Sequence, residues 1–191
     1  MAIEQAAYRV ALRDGELELR DYDPVVLAET VVPGAFEEAG NQAFRRLFRY
    51  ISGGNRPRRK VAMTAPVSQE QAGEKIAMTA PVAQEAAQDS WLVSFTMPTA
   101  STLETLPEPD DPQVRLRQVP ARRMAALRYS GRWSESSYLK HRANLESWLR
   151  GRGLRVTGDP VWARYNSPFA PWFLRRNEIL IPVERDDGDA R

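Results

Sequence analysis

The feature that most constrains the fold is a pattern that returns at an offset of 97 residues without a gap. Leu17 falls on Val114, Leu19 on Leu116, Ala28 on Ala125 and Gly34 on Gly131. Phe36 falls on Trp133, Phe48 on Leu145, Ile51 on Trp148 and Gly54 on Gly151. Few identities survive, but the apolar positions and the glycines coincide. In the first half, Tyr8 to Leu12 and Glu16 to Tyr22 alternate around Asp14-Gly15, a hairpin signal. Val25 to Val32 reads as a strand ended by Pro33-Gly34. Phe36, Ala39, Ala43, Phe44, Leu47, Phe48 and Ile51 then recur at helical spacing until Gly53-Gly54. In the second half, Val114 to Val119 and Arg123 to Tyr129 read as strands. A helix runs from about Ser134 to Arg150, with a stripe of Tyr138, His141, Leu145, Trp148 and Leu149. Further strands are expected over Trp91 to Met97 and Glu178 to Val183. The pattern predicts an α+β class with antiparallel strands. Two strand–strand–helix–strand halves, about 8–97 and 114–183, pack about a pseudo-twofold axis. One domain over 1–183 and a charged tail over 184–191 are expected.

Composition removes whole classes of chemistry. The chain has no Cys, which excludes disulfides, iron–sulfur and zinc-ribbon sites, a thiol nucleophile and a Cys-ligated haem. It has one His, His141, which excludes a site built of several imidazoles. Lys and Arg number 27 against 25 Asp and Glu, so overall charge points to no nucleic-acid partner. No run of 18 apolar residues occurs, and the N-terminus lacks the basic start and apolar stretch of a secretory signal. The expectation is a soluble, cytoplasmic protein without membrane contact.

Between the halves lies a sharper repeat. Lys60-Val-Ala-Met-Thr-Ala-Pro-Val-Ser-Gln-Glu70 returns as Lys75-Ile-Ala-Met-Thr-Ala-Pro-Val-Ala-Gln-Glu85, identical at nine of eleven positions. As strands, Val61, Met63 and Ala65 share one face, matched by Ile76, Met78 and Ala80. Pro66 and Pro81 cannot donate a ladder hydrogen bond, so each copy ends, bends or lies at an edge there. Met63 and Met78 are either core packing or a soft wall against a flat apolar ligand.

Arg45, Arg46, Arg49, Arg56, Arg58, Arg59 and Lys60 fall within 16 residues. Such density suits capture of carboxylates or phosphates, or simply a solvated helix end. His141 can ligate a metal or a haem iron, or bond a carbonyl as a partly buried histidine. Tyr165-Asn-Ser-Pro-Phe-Ala-Pro-Trp172-Phe-Leu-Arg-Arg-Asn-Glu178 is an aromatic, Pro-rich loop closing on a basic pair. Its aromatics serve binding or cap the end of the sheet, and Glu178 is a general base or an ion-pair partner of Arg175 or Arg176.

The Lys-Val/Ile-Ala-Met-Thr-Ala-Pro-Val repeat and the Tyr165-Asn-Ser-Pro…Arg-Arg-Asn-Glu178 segment resemble the SOUL family of haem-binding proteins. So do Leu19-Arg20-Asp21-Tyr22 and Val25-Val-Leu-Ala-Glu-Thr30, and the likeness runs from about Tyr8 to Val183. The resemblance implies a distorted antiparallel β-barrel flanked by two long helices. It also implies a non-enzymatic protein that holds haem, or another flat amphipathic tetrapyrrole, in a groove beside the first helix. Carried over, it points to Met63 and Met78 on the ring and to Arg56, Arg58 and Lys60 on the propionates. Leu47, Phe48 and Ile51 become apolar walls from the helix. His141 lies on the second helix and is the candidate axial ligand.

The fold so implied is also similar to gyrase-inhibitor-like small-molecule-binding domains, some of which hydrolyse small substrates with a Glu and a Tyr. That alternative nominates Glu178, with Tyr165 or Tyr129 as partner. It expects Glu178 in a concavity, unpaired and with a raised pKa.

Overall fold

The computed structural model describes residues 4–57, 73–87, 89–166 and 170–185. Met63, Arg58, Lys60 and the whole first copy of the repeat lie outside them, as does the tail beyond 185.

The chain forms β1 (Tyr8–Asp14), β2 (Leu17–Tyr22), β3 (Val25–Pro33) and α1 (Phe36–Ile51). After the described part of the repeat come β4 (Val82–Ala87) and β5 (Ser90–Thr96). The second half supplies β6 (Arg115–Val119), β7 (Arg122–Ser130), α2 (Glu135–Gly151), β8 (Val161–Arg164) and β9 (Arg176–Pro182). Local chemistry sets the boundaries. Gly15 turns the first hairpin at φ 63° and Gly53 follows α1 at φ 113°, both left-handed conformations that favour glycine. Ser134 caps α2, its hydroxyl accepting from the Ser137 N–H at 3.4 Å.

Nine strands make one antiparallel sheet in the order β6-β3-β5-β4-β8-β9-β7-β2-β1. The sheet curls into a half-barrel but stays open, because β6 and β1 end it and do not pair. The pseudo-twofold axis passes between β4 and β8, where Gln84 faces Trp162. Each half gives its first strand to the other. β2 pairs with β7 and β6 with β3. Register obeys the sequence offset: Leu19 faces Ala125, and 97 residues on, Leu116 faces Ala28. Each half proves one strand richer than the sequence pattern suggested, since β4 and β8 join the sheet, and β1 lies outside the repeat.

Strand alternation divides the side chains between two faces. Val26, Ala28, Val93 and Phe95 pack with Ala39, Ala43, Leu47 and Ile51 of α1. Ala125, Ile179 and Ile181 pack with Tyr138, Leu145 and Leu149 of α2. The two cores meet at the axis. There the Phe36 ring stacks on Trp162 with centroids 4.5 Å apart and meets Trp91 edge-on at 5.0 Å. The opposite face buries Met124, Ala126, Val161, Ala163 and Leu180 within the curl.

Candidate functional site

Helix α1 shows two faces of different character. A residue turns through about 100°, so positions 36, 39, 43, 47 and 50 share the stripe toward the sheet. Leu47 is fully buried there and Ile51 nearly so. Both were expected as groove walls; instead they belong to the core, because they fall on the stripe that packs against β3 and β5. The outward apolar surface of α1 is Phe44 and Phe48. Their rings stack with centroids 5.8 Å apart and planes 12° apart, and Phe48 is 46% exposed. Phe44 also leans on Phe95 of the core at 5.4 Å.

The chain beside this surface is fixed by Asn55. Its amide donates to the carbonyls of Tyr50 (2.7 Å) and Glu74 (2.8 Å), and its oxygen accepts from the Glu74 N–H (2.9 Å). The Ile76 N–H then donates to the Ile51 carbonyl at 2.8 Å. In the second copy of the repeat residues 73–78 form no strand, yet Ile76 and Met78 pack against the first core while Lys75 and Ala77 are exposed; the alternation ends at Thr79, which is buried. The ladder breaks at Pro81, between the short pair Thr79–Ala80 and β4. Phe44, Ile76 and Met78 therefore border one core from outside, and Phe48 stacks on Phe44. Arg45 and Arg49, on the next face of α1, are exposed and form no ion pair among the described residues. Arg56 is exposed and reaches Asp110 at 3.4 Å.

His141 stacks on Tyr129, centroids 3.8 Å apart and planes 11° apart. Its Nδ1 lies 2.7 Å from the Ser137 carbonyl. A carbonyl only accepts, so Nδ1 carries the proton and Nε2 is the one nitrogen open to a metal. Among the described residues, no group of three or more His, Asp or Glu is placed to hold a metal ion.

Glu178 is fully buried on the face away from the helices. Arg20 donates to both its oxygens, at 2.6 and 3.1 Å. Arg176 donates twice to Oε1, at 3.0 and 2.8 Å, and the Tyr165 hydroxyl donates to Oε2 at 2.7 Å. Arg20 also holds Glu18 at 2.6 Å. Burial alone would raise the Glu178 pKa. The hydrogen bonds and charge of Arg20, with the charge of Arg176 and the Tyr165 bond, outweigh it and hold the carboxyl below its usual range. Burial, then the Glu178 charge, pushes the Tyr165 hydroxyl well up. The hydrolase alternative asked for an unpaired Glu178 with a raised pKa. The structure has a carboxylate with five donors, held ionised beside a tyrosine held protonated.

Sequence reasoning missed two elements. Arg20 stands in the sequence only within the Leu19–Tyr22 motif; its signal is Glu18, Arg20 and Tyr22 alternating charge and ring on one strand face. Arg164 was not singled out at all. It shares the helix-side face of β8 with Trp162 and takes no carboxylate partner.

Comparison with known proteins agrees with this architecture. A profile of the family described as "SOUL heme-binding protein" matches residues 3–182. "Heme-binding protein 1" of Xenopus tropicalis is 27% identical over 169 residues, covering 87% of this chain and 84% of that protein. Among solved structures, a hydrolase from Listeria innocua superposes with a TM-score of 0.57 at 14% identity, covering 91% of this chain and 94% of that one. The EcmrR C-terminal domain does so with a TM-score of 0.56 at 10% identity, covering 94% and 99%. At such identities the two structures speak for the shared fold alone. No helix among the described residues is long and apolar enough to cross a membrane. The family profile runs over nearly the whole chain and over both halves of the pseudo-twofold sheet, and on that ground the chain belongs to the SOUL heme-binding protein family.

Proposed function

We propose that this protein binds haem or a related tetrapyrrole reversibly, without catalysis, on the outer face of α1. Family membership supports the ligand class. The observation that carries the location is the stacked Phe44–Phe48 pair, with Phe48 left 46% exposed and Phe44 packed on the core that Ile76 and Met78 also border. A flat ring laid on Phe48 removes apolar surface from water at about 25 cal/mol per Å². The Met78 thioether adds a polarisable contact. Arg45, Arg49 and Arg56 supply guanidinium groups at the rim, where carboxylates of an amphipathic ring would lie. Met63, Arg58 and Lys60 are expected to extend the same platform. The residues fit the ligand in kind: an apolar plate edged by cations, with no iron ligand required for affinity. Bound haem would itself supply a flat apolar face and ionised propionates.

The test is a haemin titration followed by Soret absorbance and tryptophan quenching. Saturable one-to-one binding is expected. Phe48→Asp should weaken it about tenfold or more, since burying a phenylalanine stabilises by roughly 1.5–3 kcal/mol. The exposed position leaves folding intact. Wild-type affinity in this variant would refute the location, and absent binding in the wild type would refute the function.

A further inference from the structure

The two most buried arginines of the described residues, Arg20 and Arg123, bring their own anions. Arg20 holds Glu18 and Glu178, and Arg123 holds Asp21 at 2.9 and 3.1 Å. Arg164 has none. Its Nη2 donates to the neutral amide oxygen of Gln84 at 2.8 Å. Its Nε is sealed from solvent without a partner, and Nη1 bonds nothing among the described residues. What steadies the guanidinium is aromatic: it lies over Trp162 at 4.5 Å and over Trp133 at 5.2 Å. Burial pulls its pKa down to about 10, so it is still charged at neutral pH.

The surroundings are built around that charge. A Cβ at Gly40 of α1 would stand 2.6 Å from Arg164 Nη2 and 2.9 Å from Gln84 Oε1, so the helix leaves the space glycine alone provides. Nearby, the buried Trp162 indole N–H is directed to the Tyr129 hydroxyl. The pseudo-symmetry does not demand the charge. Gln84 and Trp162 are equivalent across the axis, 78 residues apart, and the same step carries Arg164 onto Ala86. Arg175 also lies over Trp133, at 4.2 Å, and just before it Trp172 and Phe173 are half exposed. Apolar rings thus stand beside the cation.

We propose that Arg164 is the anion-binding residue of a second ligand site at the junction of the two halves, which takes an aromatic carboxylate. The carboxylate meets Nη1, and its ring packs among the tryptophans. This site is separate from the outer face of α1 and does not depend on tetrapyrrole binding.

The probe is 2-naphthoate, with 2-naphthamide as its neutral counterpart, titrated against tryptophan fluorescence and against the indole N–H signals in ¹H–¹⁵N spectra. Naphthoate should bind saturably, shift the Trp133 and Trp162 indole signals, and bind about tenfold more tightly than naphthamide, the usual weight of a charge-assisted hydrogen bond. Arg164→Gln should abolish that preference. Phe48→Asp should leave it unchanged, which separates this site from the haem platform. Equal affinity for acid and amide, unchanged binding in Arg164→Gln, or indole shifts confined to other tryptophans would overturn the assignment. Should Arg164→Gln not fold, the wild-type acid–amide comparison and indole shifts decide alone.

Discussion

Glu178→Gln separates a structural carboxylate from a catalytic one. The substitution keeps shape and removes one charge from a buried network. Breaking a buried ion pair by removing one partner costs about 3–5 kcal/mol, because the other charge is stranded. Here the stranding is partial. Arg20 keeps Glu18 at 2.6 Å, and the Arg176 side chain is 20% exposed and can turn to water. The lower end applies, about 3 kcal/mol. For a chain of 191 residues this corresponds to a fall in Tm of roughly 6–12 °C. The pH dependence gives an internal control. The folded pKa of Glu178 lies below 4.5, so its contribution is complete above about pH 4.5 and is lost as pH falls through the folded pKa. Urea unfolding of both proteins, followed by circular dichroism, should show the full gap at pH 7 and a narrowing gap under acid conditions. A catalytic carboxylate behaves oppositely, since active-site charges are held at a cost and their removal often stabilises. A Glu178→Gln protein as stable as wild type, or a gap that does not shrink in acid, would refute the structural reading and return Glu178 to the hydrolase hypothesis.

His141→Ala should leave the Soret spectrum of the haemin complex unchanged, because His141 lies on α2 and the proposed platform on α1; a lost or shifted Soret band would make His141 an axial ligand. Leu47→Ala should cost about 2–5 kcal/mol in urea unfolding, the range for an emptied core position, whereas a cost near zero with weakened haemin binding would move Leu47 to the ligand face.

The fold was largely legible because its repeat is carried by residues with local meaning. Gly34 and Gly131 both precede a helix, and Leu19 and Leu116 both face an alanine across a ladder. The exchange of first strands between halves was not legible, since strand alternation reports which face a residue takes and never which neighbour it pairs with. The site was read less well for a related reason. The resemblance puts Leu47 and Ile51 with Phe48 on the groove, although the helical stripe through Ala39 and Ala43 already places Leu47 against the sheet. Arg164 was invisible because a lone arginine at a strand end resembles ordinary solvated charge. What marked it was spacing: two residues after Trp162, it must share that side chain's face, and that face is core.

The face of the sheet away from the helices determines how a tetrapyrrole can be held. In a closed β-barrel the interior receives the ligand. Here one end of that face is filled by Glu18, Arg20, Tyr165 and Glu178, bonded to one another. Beyond them, Leu27, Ser94, Met124, Val161 and Leu180 line a cavity of about 50 Å³. Pockets that enclose drug-sized ligands run to about 300–1,000 Å³, so this cavity admits no tetrapyrrole. Among the described residues this agrees with the platform proposed on the outside of α1, where Phe48 is exposed. A ring lying there keeps one face toward water and gains apolar burial mainly from the other. On the proposed platform affinity would lean on rim cations such as Arg45 and Arg49 more than it would in a closed pocket, because one face of the ring stays in water.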